Sequence, residues 1–341
     1  MQERSRTIPG NFDPHAGIVN ALTIDLEDYF QVSGFEDVIP QASWKSFESR
    51  VERNTERLLE ILADSNVMAT FFVLGWVAER HPQLVRCVQA AGHELGCHSY
   101  AHRLVYKCTP ADFREDTRRA KGVLENLSGQ RVLGYRAPSF SVTRKSLWAL
   151  RVLAEEGFEY DSSIFPIFRD RYGIPSAPRF PFRILLGNGQ AALNDLTPQT
   201  LNNSTDSKDS TDSRDSIIEF PPSTIRWLGM TFPVAGGGYL RLFPESVFHR
   251  AIQRIVEGDG KPVILYLHPW ELDPDQPRIR NGSWLSRFRH MVNLDKTEQK
   301  LTGLLGRWRF SSLFNVLKGV PNLPVIPLSH IANQDRSPSS G

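Results

Sequence analysis

Histidines 98 and 102 stand four apart in ELGCHSYAHR (94–103), and acids, an arginine and a third histidine recur at the ends of other apolar runs. ALTIDLED ends in Asp25, Glu27 and Asp28, LGYRAPSF passes through Arg136, and VILYLHPWE closes on His268 and Glu271. Two neutral imidazoles and one carboxylate hold a divalent metal while leaving positions open for water and substrate. Such an ion makes water nucleophilic near neutral pH and polarises a carbonyl. A further carboxylate can take the proton of that water, and a further histidine can protonate a leaving amine. Each piece alone has a plainer reading. The H-x-x-x-H spacing arises by chance, acids after a strand are loop or capping groups, His268 alone is a backbone-bonded histidine, and Arg136 alone is a salt-bridge partner. What joins them is their common place after short apolar runs.

Those runs alternate with helical spacing. IVNALTIDLEDYF (18–30) reads as a buried strand emerging into a polar loop, and residues 46–64 carry Val51, Leu58, Leu59 and Leu62 at helical intervals. VMATFFVLG (67–75) is a second buried run, and QLVRCVQAAGH is a helix capped at Gly92. Thr109, Pro110 and Asp112 open another helix, with a hydroxyl cap, proline in the first turn and an early acid. RVLGYRAP, FEYDSSIFP, SIIEFPPS (216–223) and KPVILYLHPWE (261–271) continue the strands, with helices at 143–156 and near 244–257. Short apolar strands separated by helices predict an α/β fold with a parallel sheet, either a barrel or an open sheet. In both, the C-terminal strand ends converge on one face, where chemistry is sited.

Composition bounds the rest. The chain has 341 residues, 40% of them hydrophobic, enough for one large core. Forty basic residues against 38 acidic leave a net charge of +2, which gives no electrostatic case for nucleic acid or an anionic membrane surface. Three cysteines, Cys87, Cys97 and Cys108, do not make a disulfide framework. No apolar run is long enough for a membrane span, and MQERSRTIPGNFDPH contains no signal-peptide core, so the expectation is a soluble, cytoplasmic protein. Cys97, His98, His102 and Cys108 could also form a tetrahedral zinc site. That reading leaves Asp25, Arg136 and His268 unexplained, and Cys97 in its apolar strand is better read as a buried, inert thiol.

With these residues in place, the chain resembles the polysaccharide deacetylases of carbohydrate esterase family four over most of 18–275. TIDLED resembles the family's T-F-D-D-G motif, HSYAH its H-[ST]-x-x-H, RAPSF its R-x-P-[YFW], DSSIFP its D-x-S-x-x-P and YLH its L-x-H. DLEDYFQV, GGGYLRLFP and LHPWELDPDQPRI are similar to the branch associated with exosortase-type exopolysaccharide gene clusters. The resemblance implies a distorted (β/α) barrel of about seven parallel strands and a divalent metal, zinc first, with cobalt or nickel as alternatives. It also implies hydrolysis of N-acetyl groups on an amino-sugar polysaccharide or its precursor. Carried over by residue, it makes Asp25 the general base, His98 and His102 the metal imidazoles, and His268 the general acid. Arg136 would hold Asp25. A backbone N–H after Pro138, at Ser139 or Phe140, would steady the oxyanion, Asp161 would contact His268, and Trp270 would wall the sugar pocket. The family's metal-binding Asp is replaced by Leu26, so the ligand is expected at Glu27, which shares a strand face with Asp25, or at Asp28 after a turn.

The domain reading that follows is an N-terminal tail (1–17), a catalytic domain (18–275) and a C-terminal helical extension (276–335) packed on the barrel, then a disordered tail (336–341). The catalytic domain carries a Ser/Asp/Thr-rich insert at 201–216, expected to be flexible. GSWLSRFRHMVNL and LLGRWRFSSLFNVL in the extension read as amphipathic helices, either packed on the barrel or docking exopolysaccharide-biosynthesis machinery. Two other functions stay open: a C–N hydrolase of a small amide or ureide, and a catalytically inactive carbohydrate-binding barrel.

Overall fold

The computed structural model describes residues 17–169, 171–187 and 215–333. All but Gly17 of the expected N-terminal tail (1–17), the tail at 336–341 and nearly all of the 201–216 insert lie outside the described residues.

The chain's apolar runs form the strands. β1 (Asn20–Leu26) is buried along its whole length, as a central strand covered on both faces must be. β2 (Thr70–Val73), β3 (Glu94–Cys97), β4 (Gly134–Tyr135) and β5 (Tyr160–Asp161) follow, each reached through a helix. β6 (Phe182–Leu185), β7 (Ser216–Glu219), the hairpin pair β8 (Thr224–Trp227) and β9 (Met230–Pro233), β10 (Ile264–Leu267), β11 (Phe310–Ser311) and β12 (Val325–Pro327) complete the set. The ladder runs β10-β1-β2-β3-β4-β5-β7-β6-β12. Its first seven members are mutually parallel, in agreement with the expected seven. Among the described residues no pairing joins β7 to β10, so the ladder is open on that side. Beyond β7 the sheet turns antiparallel through β6, an element with no signal that the sequence reading used.

The C-terminal extension does more than pack on the sheet. β11 pairs with β1 and β12 pairs with β6, so residues after 276 supply two strands. Leu313, Val316 and Leu317 from the helix behind β11 share a buried cluster with Ala21, Phe72 and Ile264. Both strands have three residues or fewer, too short for any period-2 pattern to show. The helix expected from residue 46 starts at Val51. Thr109 caps the helix Pro110–Ser128 as its sequence implies, with its hydroxyl accepting from Asp112 N–H at 3.2 Å. Among the described residues, no helix is long and apolar enough to cross a membrane.

Candidate active site

Strand register decides which polar residues meet. Ile24 pairs with Leu267, so the next residues, Asp25 and His268, emerge side by side. Leu26 pairs with Val73, Val73 with Cys97, and Cys97 with Tyr135, so Glu27, His98 and Arg136 emerge together one step further on. A sheet with these ladders gathers the five residues at one end without help from the loops.

Glu27, His98 and His102 are buried, and each offers a ligand atom within 4.8 Å of the others'. His98 Nδ1 lies 2.8 Å from the carbonyl oxygen of Arg136, and His102 Nδ1 lies 3.4 Å from Ser33 Oγ. Partners at Nδ1 fix the ring orientation and leave Nε2 for an ion. Among the described residues, Glu27 Oε2 is buried with no hydrogen-bond donor aligned on it, although His102 Nε2 is 2.8 Å away. Two groups aimed at a shared point rather than at each other fit a divalent metal. The donor set of two nitrogens and one oxygen suits zinc and neighbouring transition ions. Burial pushes the Glu27 carboxyl up, but the charges of His102 and His268 outweigh it and hold it at about 2. Burial also pushes His98 down to about 4, which keeps it a neutral, ligating imidazole at neutral pH.

Asp28 does not join them. Its Oδ2 accepts from Ser49 Oγ at 2.7 Å and from the Arg50 and Val51 N–H groups at 2.9 and 3.3 Å. Its Oδ1 accepts from Tyr29 N–H at 3.0 Å. The turn after Leu26 therefore carries Asp28 away from the cluster, to the free N–H groups at the start of the helix Val51–Asp64, where a carboxylate is well placed. Of the two expected ligands, only Glu27 stands with the histidines.

Arg136 is fully buried, and its guanidinium is satisfied on every side. It donates to Asp25 Oδ1 and Thr23 Oγ1, both at 2.7 Å, to Ser162 Oγ at 3.0 Å and to the Ser162 carbonyl at 3.3 Å, and it lies 4.3 Å above the Phe72 ring. A buried cation with this many partners locks whatever it binds, and it fixes Asp25 about one side chain away from the ligand cluster. Thr23 and Ser162 carry no sequence signal for this role.

His268 Nε2 faces Glu27 Oε1 at 3.5 Å and Asp25 Oδ2 at 4.0 Å. Its Nδ1 sits 2.8 Å from Glu271 Oε1, and Glu271 Oε2 accepts from Arg241 Nε at 2.7 Å. Burial alone would lower His268, but the Glu271 hydrogen bond and the surrounding carboxylates raise it to about 9. Burial likewise opposes ionisation of Glu271, and Arg241 with His268 overcomes it and holds that carboxyl at about 2. A side chain at position 237 would strike Glu271, its Cβ 2.2 Å from Oε1, so Gly237 lets the backbone pass this buried pair.

Three sequence-based expectations change here. Asp161 does not touch His268. It faces Glu219 across the β5–β7 ladder, and both side chains are fully buried. Asp161 Oδ1 accepts from Ser163 Oγ, Glu219 Oε1 accepts from Ile164 N–H at 3.0 Å, and one oxygen of each acid has no other partner among the described residues. Burial raises Asp161 to about 6 and Glu219 further, so the pair holds a proton. Trp270 is no open pocket wall. It is 4% exposed and stacked between His268 and His290, at centroid distances of 5.1 and 4.4 Å. Phe140 N–H is used by the Ala137 carbonyl at 3.0 Å, which leaves Ser139 N–H as the candidate oxyanion donor beyond Pro138. Backbone strain gathers here: Ser99, His102, Ser139 and Phe140 all have positive φ, which non-glycine residues adopt at a cost. Cys97 is buried as expected, its thiol pushed up by burial, and neither it nor Cys108 belongs to the ligand cluster.

Residues 37–158 match the sequence profile of the family described as "Polysaccharide deacetylase", and residues 196–318 match "Domain of unknown function (DUF3473)". The chain is 32% identical over 96 residues to a peptidoglycan-N-acetylglucosamine deacetylase of Bacillus cereus, an alignment covering 28% of this chain and 35% of that protein. It is 31% identical over 101 residues to a chitooligosaccharide deacetylase of a Bradyrhizobium species, covering 29% of this chain and 43% of the relative. The chain thus aligns with less than half the length of each. A crystal structure described as a putative polysaccharide deacetylase from Mycobacterium smegmatis shares the fold, with a TM-score of 0.54 at 19% identity over 93% of this chain and 95% of that one.

Proposed function

We propose that this chain, whose residues 37–158 match the polysaccharide deacetylase family, is a metal-dependent hydrolase removing N-acetyl groups from an amino-sugar polysaccharide or its precursor. The observation that carries this reading is the buried Glu27–His98–His102 cluster with an arginine-held carboxylate and a carboxylate-held histidine beside it. Glu27, His98 and His102 would hold a divalent ion, zinc first among the candidates and cobalt or nickel next, which would supply Lewis acidity toward the acetyl carbonyl and a lowered pKa for water. The chain's own groups do the rest. Asp25, fixed by Arg136, takes a proton from the attacking water. Ser139 N–H donates to the oxygen on which charge develops. His268 gives a proton to the sugar nitrogen as the C–N bond breaks, so acetate and a free amine leave.

The finer assignment to exopolysaccharide biosynthesis rests on the stretches DLEDYFQV, GGGYLRLFP and LHPWELDPDQPRI and belongs to the same proposal. The test is acetate release from N-acetylated oligosaccharides by the purified protein, abolished by a chelator and restored by zinc, cobalt or nickel. Turnover of a small cyclic amide without acetate release from any such glycan would replace this reading with that of a related C–N hydrolase. A metal-loaded protein inert toward both would leave a binding barrel.

A further inference from the structure

The helix Trp284–Met291 turns its apolar side outward. A helix packed on a core ordinarily points its apolar stripe inward and its polar residues at water. Here His290 is buried and Ser286 half-buried, while Trp284, Leu285 and Phe288 are 71%, 39% and 49% exposed. At about 100° of turn per residue these three make one solvent-facing stripe, with Arg287 on one flank and Arg289 on the other. Exposed Val38 borders the start of the helix, 3.8 Å from the place a Cβ at Gly282 would take. Arg278 and Arg280, both exposed, stand just before it.

Residues 276–294 contain these four arginines and no acid, a local excess that the overall charge of +2 hides. Arg287 donates to the Arg280 carbonyl at 3.3 Å, and among the described residues none of the four is paired with a carboxylate. Asp273 is committed to Arg50 and Arg53, and Glu36 to Lys107. Counting exposed Asp37 and Asp275 at its edges, the patch keeps a net positive charge. We propose that this patch is a membrane-interface anchor, docking on an anionic lipid bilayer with Trp284, Leu285 and Phe288 among the headgroups and the arginines on lipid phosphates.

A stripe of Trp, Leu and Phe edged by arginines is what an interfacial helix presents to a bilayer. Aromatic rings suit the boundary between water and hydrocarbon, and flanking arginines lay their stems on apolar surface while their heads reach phosphate. A second copy of the chain fits worse, because a two-fold contact sets like patches face to face and arginines would meet arginines. On the inner side of the helix, His290 stacks on Trp270 at 4.4 Å, and Trp270 stacks on His268 at 5.1 Å. Docking through this helix therefore holds the candidate active site at the bilayer surface, whatever that site hydrolyses.

The test is co-sedimentation of the full chain with vesicles of phosphatidylcholine alone and of phosphatidylcholine mixed with phosphatidylglycerol. Binding to the mixed vesicles is expected, weakening as salt rises, with little to the neutral ones. Arg287→Gln with Arg289→Gln should cut the partition coefficient about tenfold or more, through lost attraction to the anionic surface. Trp284→Ser with Phe288→Ser should cut it by about tenfold or more, through lost apolar burial. All four side chains face solvent, so neither pair disturbs the core. Trp227→Ser lies on the exposed hairpin β8–β9, whose base at Ser223 accepts from Ile264 N–H at 2.8 Å, at the opposite end of β10. That control should bind as wild type does. Absence of wild-type binding to the mixed vesicles, or binding that either double variant retains, overturns the anchor. So does a wild-type dimer split by Trp284→Ser with Phe288→Ser, since a second copy then covers the patch.

Discussion

Asp25 and His268 emerge side by side from neighbouring strands, and they are held in opposite ways. Asp25 is bound by a buried cation, Arg136, which is fixed in turn by Thr23 and Ser162. His268 is bound by a buried anion, Glu271, which is fixed in turn by the cation Arg241. A group that must accept a proton is served by a positive neighbour, and one that must donate is served by a negative neighbour. In the mechanism proposed above, one fold thus prepares a base and an acid a side chain apart, by reversing the sign of the supporting charge. The two supports also differ in where they come from. Arg136 and Ser162 sit at adjacent strand ends, whereas Arg241 and the 290–292 carbonyls that hold it reach Glu271 from outside the parallel strands.

That contrast is open to attack from both sides. The largest effect is expected at Asp25→Asn, which keeps the geometry but removes the base: kcat should fall at least about a hundredfold with metal content unchanged. Activity within a few-fold of wild type would remove Asp25 from that role. Glu271→Gln keeps one acceptor and strips the charge from the His268 side, and it should lower kcat about tenfold or more without loss of metal. If Asp161→Asn were the more damaging of the two in kcat, the partner of His268 would have been misassigned. Asp161→Asn should instead be visible in stability. A carboxyl raised in the folded state stabilises fully below the ordinary carboxylate range, and that contribution is lost as pH rises through about 6. Denaturant melts of wild type at pH 4.5 and pH 8 should therefore show a decline that Asp161→Asn reduces, and an unchanged pH slope would exclude a raised Asp161 carboxyl. The smallest effect is at Asp28→Ala, a helix-cap loss of about 1 kcal/mol with activity retained, read from the same melts.

Much of the first support was legible in the sequence, and little of the second was. Polar residues after apolar runs, read with the convergence of parallel strands, are enough to bring Asp25, Glu27, His98, Arg136 and His268 together. Two-residue periodicity separates Glu27 from Asp28, since only the former shares a strand face with Asp25. The true job of Asp28 lies more than twenty positions away at Arg50 and Val51, a distance no local pattern spans. Glu271 was visible as a strand-end acid three residues after His268, yet nothing in the sequence says that Arg241 will meet it or that Gly237 will make room. Asp161 was misplaced for a similar reason. Its partner Glu219 belongs to a strand that follows the long insert, so the pairing exists only once β5 and β7 are in register. The C-terminal strands were missed because two or three residues carry no period, and their place depends on partners already assembled.

The central claim is that Glu27, His98 and His102 hold the ion while Asp28 serves the helix. Zinc bound per chain, measured after dialysis for wild type, Glu27→Ala and Asp28→Ala, tests it most directly. One equivalent is predicted in wild type and in Asp28→Ala, with almost none in Glu27→Ala. Retention of the ion in Glu27→Ala together with its loss in Asp28→Ala would contradict the account.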